Sequence, residues 1–207
     1  SDIIDPIAEN TDLQVLAIDQ VRFPRQLPLQ VLMAYSDQGA VLDLTTKVET
    51  DGTLDWTAPA GDWQLYALFQ GWHGKMVERA APGGEGKVID HFSKAATTHY
   101  LAAFAQALAG EDLSGLRAFF NDSYEVDDAR GQADWTPDLL AVFAERRGYD
   151  LREHLPALLA EDGGDQHRRV LSDYRETMGE LLLEHFTRTW AEWARERGTI
   201  VRNQAHG

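Results

Sequence analysis

Short apolar runs broken by turn residues fill the first third of the chain. Leu13–Ile18 is one run, and Leu29–Tyr35, opened by Pro28, is the next. Val41–Leu44 follows an Asp37-Gln38-Gly39 turn. Asp51-Gly52 is a hairpin signal between Thr45–Thr50 and Thr53–Thr57. Pro59-Ala60-Gly61 predicts a turn before the aromatic-rich strand Trp63–Phe69. Short strands with frequent turns predict a β-rich subdomain of sandwich type over residues 1–74. Trp56 and Trp63 offer a sugar-stacking surface on one reading and core packing on the other, commoner one.

The stretch Gly71–Gly86, GWHGKMVERAAPGGEG, interrupts this pattern and marks a boundary or a functional loop. It lacks the Ser or Thr after Lys87 that a phosphate-binding loop needs. Strands and helices then alternate. Val88-Ile89 predicts a brief strand, and Ser93 caps a helix over Lys94–Ala109 that Gly110 stops. The stripe of that helix is Ala96, Tyr100, Ala103, Phe104, Ala107 and Leu108. Leu116–Phe120 predicts a second strand. Thr136 caps a helix with Pro137 in its first turn, running to about Arg147 before Gly148. A short helix over Leu151–Leu159 is interrupted near Pro156. A long one spans about Gln166–Arg197, with Val170, Tyr174, Met178, Leu181, Leu182, His185, Phe186, Trp190 and Trp193 on its apolar stripe. His185 reads there as a satisfied core histidine. Thr199–Val201 predicts a third strand.

Each of these three strands meets polar residues at its end: Asp90 and His91, then Asp122 and Glu125, then Asn203, Gln204 and His206. Convergence of such ends on one pocket is the grammar of a (β/α) barrel of TIM type. The fold class expected is therefore α/β: a β-rich subdomain followed, over residues 75–207, by the first part of a barrel truncated at its C-terminus. A barrel needs eight strands, so the rest of a parent chain is expected to close it. Such a piece alone would expose strand edges and apolar helix faces, and is expected to be marginally stable or to associate.

Composition narrows the partners. The formal charge is −15, which argues against nucleic acid and fits a neutral substrate or a cation held by carboxylates. No run of 18 apolar residues occurs, so no membrane-spanning helix is expected, and no leader is visible. The absence of cysteine excludes disulfides and thiolate chemistry in these residues. No G-x-S-x-G or H-E-x-x-H motif is present. Acids at strand ends, with amide and imidazole neighbours, suit glycoside hydrolysis, which pairs two carboxyl groups across the scissile bond. A non-catalytic carbohydrate-binding or scaffold module is the alternative, as is a glycosidase of other sugar specificity.

GWHGKMVERAAPGGEG, VIDHFS, FFNDSYEV, DWTPDLL, RRGYDLREHLPALL, VLSDYRETMGELLLEHF and VRNQAHG follow one another in this order. From about residue 51 to 207 the chain resembles the α-L-rhamnosidases of glycoside hydrolase family 106. The resemblance implies a large, multi-domain bacterial enzyme, secreted or periplasmic. It would release terminal α-L-rhamnose from a rhamnose-containing oligosaccharide or glycoside. Inversion with two glutamates and a calcium ion is implied too. The motif FNDSYE would place the general acid at Glu125, with Asp122 as a sugar or metal contact. Asp90 and His91 would line the pocket, joined by Asn203, Gln204 and His206. Glu78 and Arg79 would sit on the loop entering the barrel. The catalytic base would lie in later strands, leaving this chain inactive alone.

Overall fold

Val31, Leu32, Met33 and Ala34 are consecutive and all buried, so the strand that carries them is covered on both faces. The computed structural model describes residues 27–71, 82–84, 86–122, 124, 134–161 and 163–204. Its strands are β1 (Leu29–Ser36), β2 (Val41–Asp43), β3 (Trp63–Phe69), β4 (Ala118–Asn121) and β5 (Ile200–Asn203). Its helices are α1 (Lys94–Ala107), α2 (Leu139–Arg147), the single turn α3 (Leu155–Leu158), α4 (Gly164–Leu181) and α5 (Thr189–Arg195). A π-helical segment, Leu182–Arg188, joins the last two. The architecture is α/β. Among the described residues, no helix is long and apolar enough to cross a membrane. The expected strand Leu13–Ile18 lies outside the described residues.

The chain divides into two compact units. One comprises the described residues of 25–72 together with 137–175. Its sheet has the order β2-β1-β3, antiparallel throughout. Alternation along β1 sends Val31 and Met33 to one face and Leu32 and Ala34 to the other. The first pair packs with Phe143, Leu151, Leu155 and Val170. The second packs with Leu44, against which Trp56 and Trp63 lie edge to face, 5.5 Å apart. The two tryptophans therefore serve core packing. Among the described residues, helices cover the Val31 face of this sheet. The hairpin expected at Asp51-Gly52 keeps its turn, with Gly52 at φ 88°, but its strands shrink to one bridge, Val48 with Leu54. The reason is local. Asp43 Oδ1 accepts the Thr45 N–H at 2.9 Å, and Thr45 Oγ1 accepts the Leu32 N–H at 3.0 Å. Side chains that take backbone partners bend Thr45–Lys47 into a 3-10 turn.

Gly148 ends α2 in the left-handed conformation, φ 78°, as its position after Arg147 predicts. Pro156 stands in the first turn of α3, after a 3-10 turn over Leu151–His154. Arg152 clasps Asp150 through Nε at 3.0 Å and Nη2 at 2.7 Å, and reaches Asp43 through Nη1 at 3.0 Å. The Tyr35 hydroxyl donates to the Arg152 carbonyl. Hydrogen bonds from the Arg152 side chain hold the Asp150 carboxyl below its ordinary value, against the opposing effect of burial. A carboxyl depressed in the folded state stabilises the fold above its unfolded pKa of about 3.9. That stability is lost as pH falls through the lower folded value. We therefore expect Arg152→Met to flatten the acid limb of a urea-midpoint series run from about pH 6 downward. An acid limb as steep as that of the wild type would show that Asp150 contributes nothing to it.

The other unit contains the described residues of 73–136 and 176–207. Ser93 caps α1, its Oγ accepting the Ala96 N–H at 3.3 Å, and Gly110 at φ 84° follows the helix end. The buried line of α1 is Thr97 and Leu101, one step round from the expected stripe. Thr97 tolerates burial because its hydroxyl donates to the Ser93 carbonyl at 3.2 Å. Tyr100 and Phe104 are left 48% and 43% exposed, packed on each other with ring centres 5.2 Å apart. No strand forms at Val88–Ile89, because Asp90 turns the chain at once. The other two expected strands do form. β4 and β5 pair in parallel, in register from Ala118 with Ile200 to Asn121 with Asn203. Phe119 packs on Trp193 at 4.8 Å. On the opposite face Phe120 and Ile200 are each 58% exposed.

Candidate active site

Parallel pairing puts the C-terminal ends of β4 and β5 on one edge. Both strands end in asparagine, and the two are register partners. Asn121 Nδ2 donates to Asn203 Oδ1 at 2.9 Å and to the Asp122 carbonyl at 2.8 Å. The Gln204 N–H donates to the Asn121 carbonyl at 3.2 Å, extending the ladder one residue beyond the strands. Asp122 and Gln204 are exposed at this edge. Tyr124, two residues past Asp122, meets the His91 ring edge to face at 4.9 Å, and His91 also rests on Phe186 at 4.7 Å. Five nominated residues thus fall in one neighbourhood along the chain of contacts: Asn203 and Gln204 with Asn121, Asp122 beside it, and His91 through Tyr124, with Asp90 adjoining. Glu125, Glu78, Arg79 and His206 lie outside the described residues.

Asp90 is committed to the fold. Its Oδ1 accepts the Phe92 N–H at 2.9 Å, an Asx turn. Its Oδ2 accepts the Thr136 hydroxyl at 2.8 Å. Thr136 is therefore no helix cap: α2 begins at Leu139 after Asp138, with no side-chain cap bond. The helix cap after Asp90 is Ser93. His185 is satisfied as its place on the stripe implies, with Nδ1 2.6 Å from the Phe92 carbonyl.

Asn121, Tyr124, Thr136 and Phe186 were not among the sequence candidates. The repeated strand ending, AFFN and IVRN, is the signal that could have found Asn121. An open groove of about 100 Å³ reaches Asn121 between Tyr100, Phe104, Phe119, Phe120 and Trp193. Among the described residues its lining carries no acid, and those residues offer apolar and stacking surface.

The likeness to known proteins spans both strand ends. A family model described as alpha-L-rhamnosidase matches residues 22–207. The chain belongs to glycoside hydrolase family 106. A solved rhamnosidase from Novosphingobium sp. PP1Y is 36% identical and superposes with a TM-score of 0.61 over 80% of this chain. A curated protein of Formosa agariphila, provisionally named beta-glucuronidase, is 32% identical over 152 residues, 70% of this chain. The chain spans 16% of that solved chain and 13% of the Formosa protein. Calcium, which family 106 membership brings into question, needs six to eight oxygen ligands. Among the described residues, no group of three acidic or imidazole side chains converges. Both Asp90 oxygens already take protein donors. The described residues do not by themselves make a calcium site.

Proposed function

We propose that this chain is part of a larger inverting α-L-rhamnosidase and that the joined ends of β4 and β5 form one wall of its sugar pocket. The observation that carries the reading is the in-register parallel pairing that sets Asn121, Asn203 and Gln204 on one edge, within the span of the family match. In this reading residues 75–207 supply the opening part of a (β/α) barrel. The face bearing Phe120 and Ile200 is its interior, covered by strands from the rest of the parent chain. Amides at the edge hydrogen-bond sugar hydroxyls, and the ring of His91 packs against the pyranose. Glu125, following β4, protonates the glycosidic oxygen as the aglycone leaves. The base that activates water on the opposite face of the ring comes from elsewhere in the parent, as do most calcium ligands if the ion is used. Export to the periplasm or outside the cell belongs to the same proposal. A second reading, sugar binding without catalysis, is favoured by the stacking surface of the groove beside Asn121.

The parent protein should be assayed on matched aryl glycosides: α-L-rhamnoside, β-glucuronide and a panel of other sugars. We expect turnover of the rhamnoside, with the β-anomer of L-rhamnose appearing first by proton NMR. Turnover of the glucuronide alone would overturn the substrate. Binding of rhamnose without hydrolysis of any glycoside would favour the second reading.

A further inference from the structure

The Asp90-His91-Phe92 turn is held from elements far away in sequence. Thr136, 4% exposed, donates its hydroxyl to Asp90 Oδ2 across 46 residues. His185 meets the Phe92 carbonyl across 93 residues. A carbonyl only accepts, so Nδ1 carries the hydrogen. Between these two anchors the Asx turn closes on itself, Phe92 N–H to Asp90 Oδ1. The next residue of the helix, Phe186, packs against His91. His185 and Phe186 both lie in the π-helical segment Leu182–Arg188. Such segments are rare and recur at functional sites. Here the segment applies two consecutive side chains to one turn, the imidazole to its backbone and the phenyl ring to its half-buried histidine.

We infer that Thr136 and His185 are positioning residues that fix the Asp90–Phe92 turn and thereby aim His91 into the sugar pocket. The inference rests on the reading of that turn as pocket wall. Neither residue touches substrate. Thr136 fixes the carboxylate that closes the turn, and His185 fixes the carbonyl at its far end. Releasing either lets His91 leave Tyr124 and Phe186, and misplacing a contact by about 1 Å costs on the order of 100-fold in rate.

The test uses the parent enzyme with two paired substitutions. Thr136→Val removes the hydroxyl at nearly constant volume, and Thr136→Ser restores it. His185→Leu removes the donor, and His185→Asn returns an N–H near the Nδ1 position. We expect Thr136→Val and His185→Leu to lower kcat/KM on an aryl α-L-rhamnoside by about 10- to 100-fold, with Tm little changed. The Ser and Asn variants should recover most of the loss. Amide exchange of the peptide carrying Phe92 should quicken in the Val and Leu variants and not in the rescued ones. Equal activity in all variants with unchanged exchange overturns the inference. So does equal loss in the rescued and unrescued variants with a lowered Tm, which assigns these residues to packing alone. A wild type inert on rhamnosides refutes the proposed substrate instead; in that case exchange at Phe92 decides the clamp, and unchanged exchange overturns it.

Discussion

In the parent enzyme Glu125→Gln is expected to lower kcat by about 10²- to 10⁴-fold on an α-L-rhamnoside with a sugar or alkyl leaving group. The argument is one of proton supply. A glycosidic oxygen leaving as an alkoxide needs a proton in the transition state, and a glutamine amide has none to give. An activated nitrophenyl leaving group departs without that help, so the same variant should lose much less on it. The contrast between the two substrates separates an acid from a merely structural glutamate, which would damage both alike. Asp122 is a poor understudy. It stands three residues from Glu125, whereas an inverting pair sits about 6.5–9.5 Å apart so that water fits between. Asp122→Asn should accordingly affect KM more than the leaving-group dependence. Retention of full kcat by Glu125→Gln on the poor leaving group would remove Glu125 from the mechanism and leave the β4 end as a binding wall only.

What could be read before the structure follows from how local each signal is. Ser93, Gly110, Gly148 and Gly198 bracket helices through interactions a few residues long, and the helices end there. β1 and β3 announce themselves by apolar runs, and Asn203 and Gln204 by standing at a strand end. Long-range polar pairing leaves no periodic trace. Nothing in the spacing of Asp90, Thr136 and His185 says that they serve one turn, so Thr136 read as a cap and Val88-Ile89 as a strand. The buried line of α1 departs from the expected stripe for a related reason. Hydrophobicity favours Tyr100 and Phe104 inside, yet a hydroxyl satisfied by its own helix lets Thr97 take the buried line. Nor does periodicity say that 137–175 group with the strands of 25–72, since helix α2 carries its apolar residues whichever layer it covers. The family was visible through whole motifs in order, a kind of signal that reports descent rather than packing.

The second large effect belongs to that sheet unit, and it concerns stability alone. Phe143 is fully buried on α2, among Val31 and Met33 of the sheet and Leu151, Leu155 and Val170 of the helical cover, with Tyr149 edge-on at 5.0 Å. Removing the ring forfeits its transfer free energy and leaves a cavity walled by a strand on one side and helices on the other. Neither wall collapses readily, because β1 is held on both edges by its ladders to β2 and β3. We expect Phe143→Ala to cost about 3–5 kcal/mol. Phe104→Ala makes the control: its ring is apolar too but 43% exposed, so far less surface returns to water. In urea titrations followed by limited proteolysis within residues 139–175, Phe143→Ala should cut first and at much lower denaturant than either Phe104→Ala or wild type. Equal midpoints for the two variants would mean that α2 does not cover the sheet in solution. The pairing of 137–175 with β1–β3 would then have to be given up.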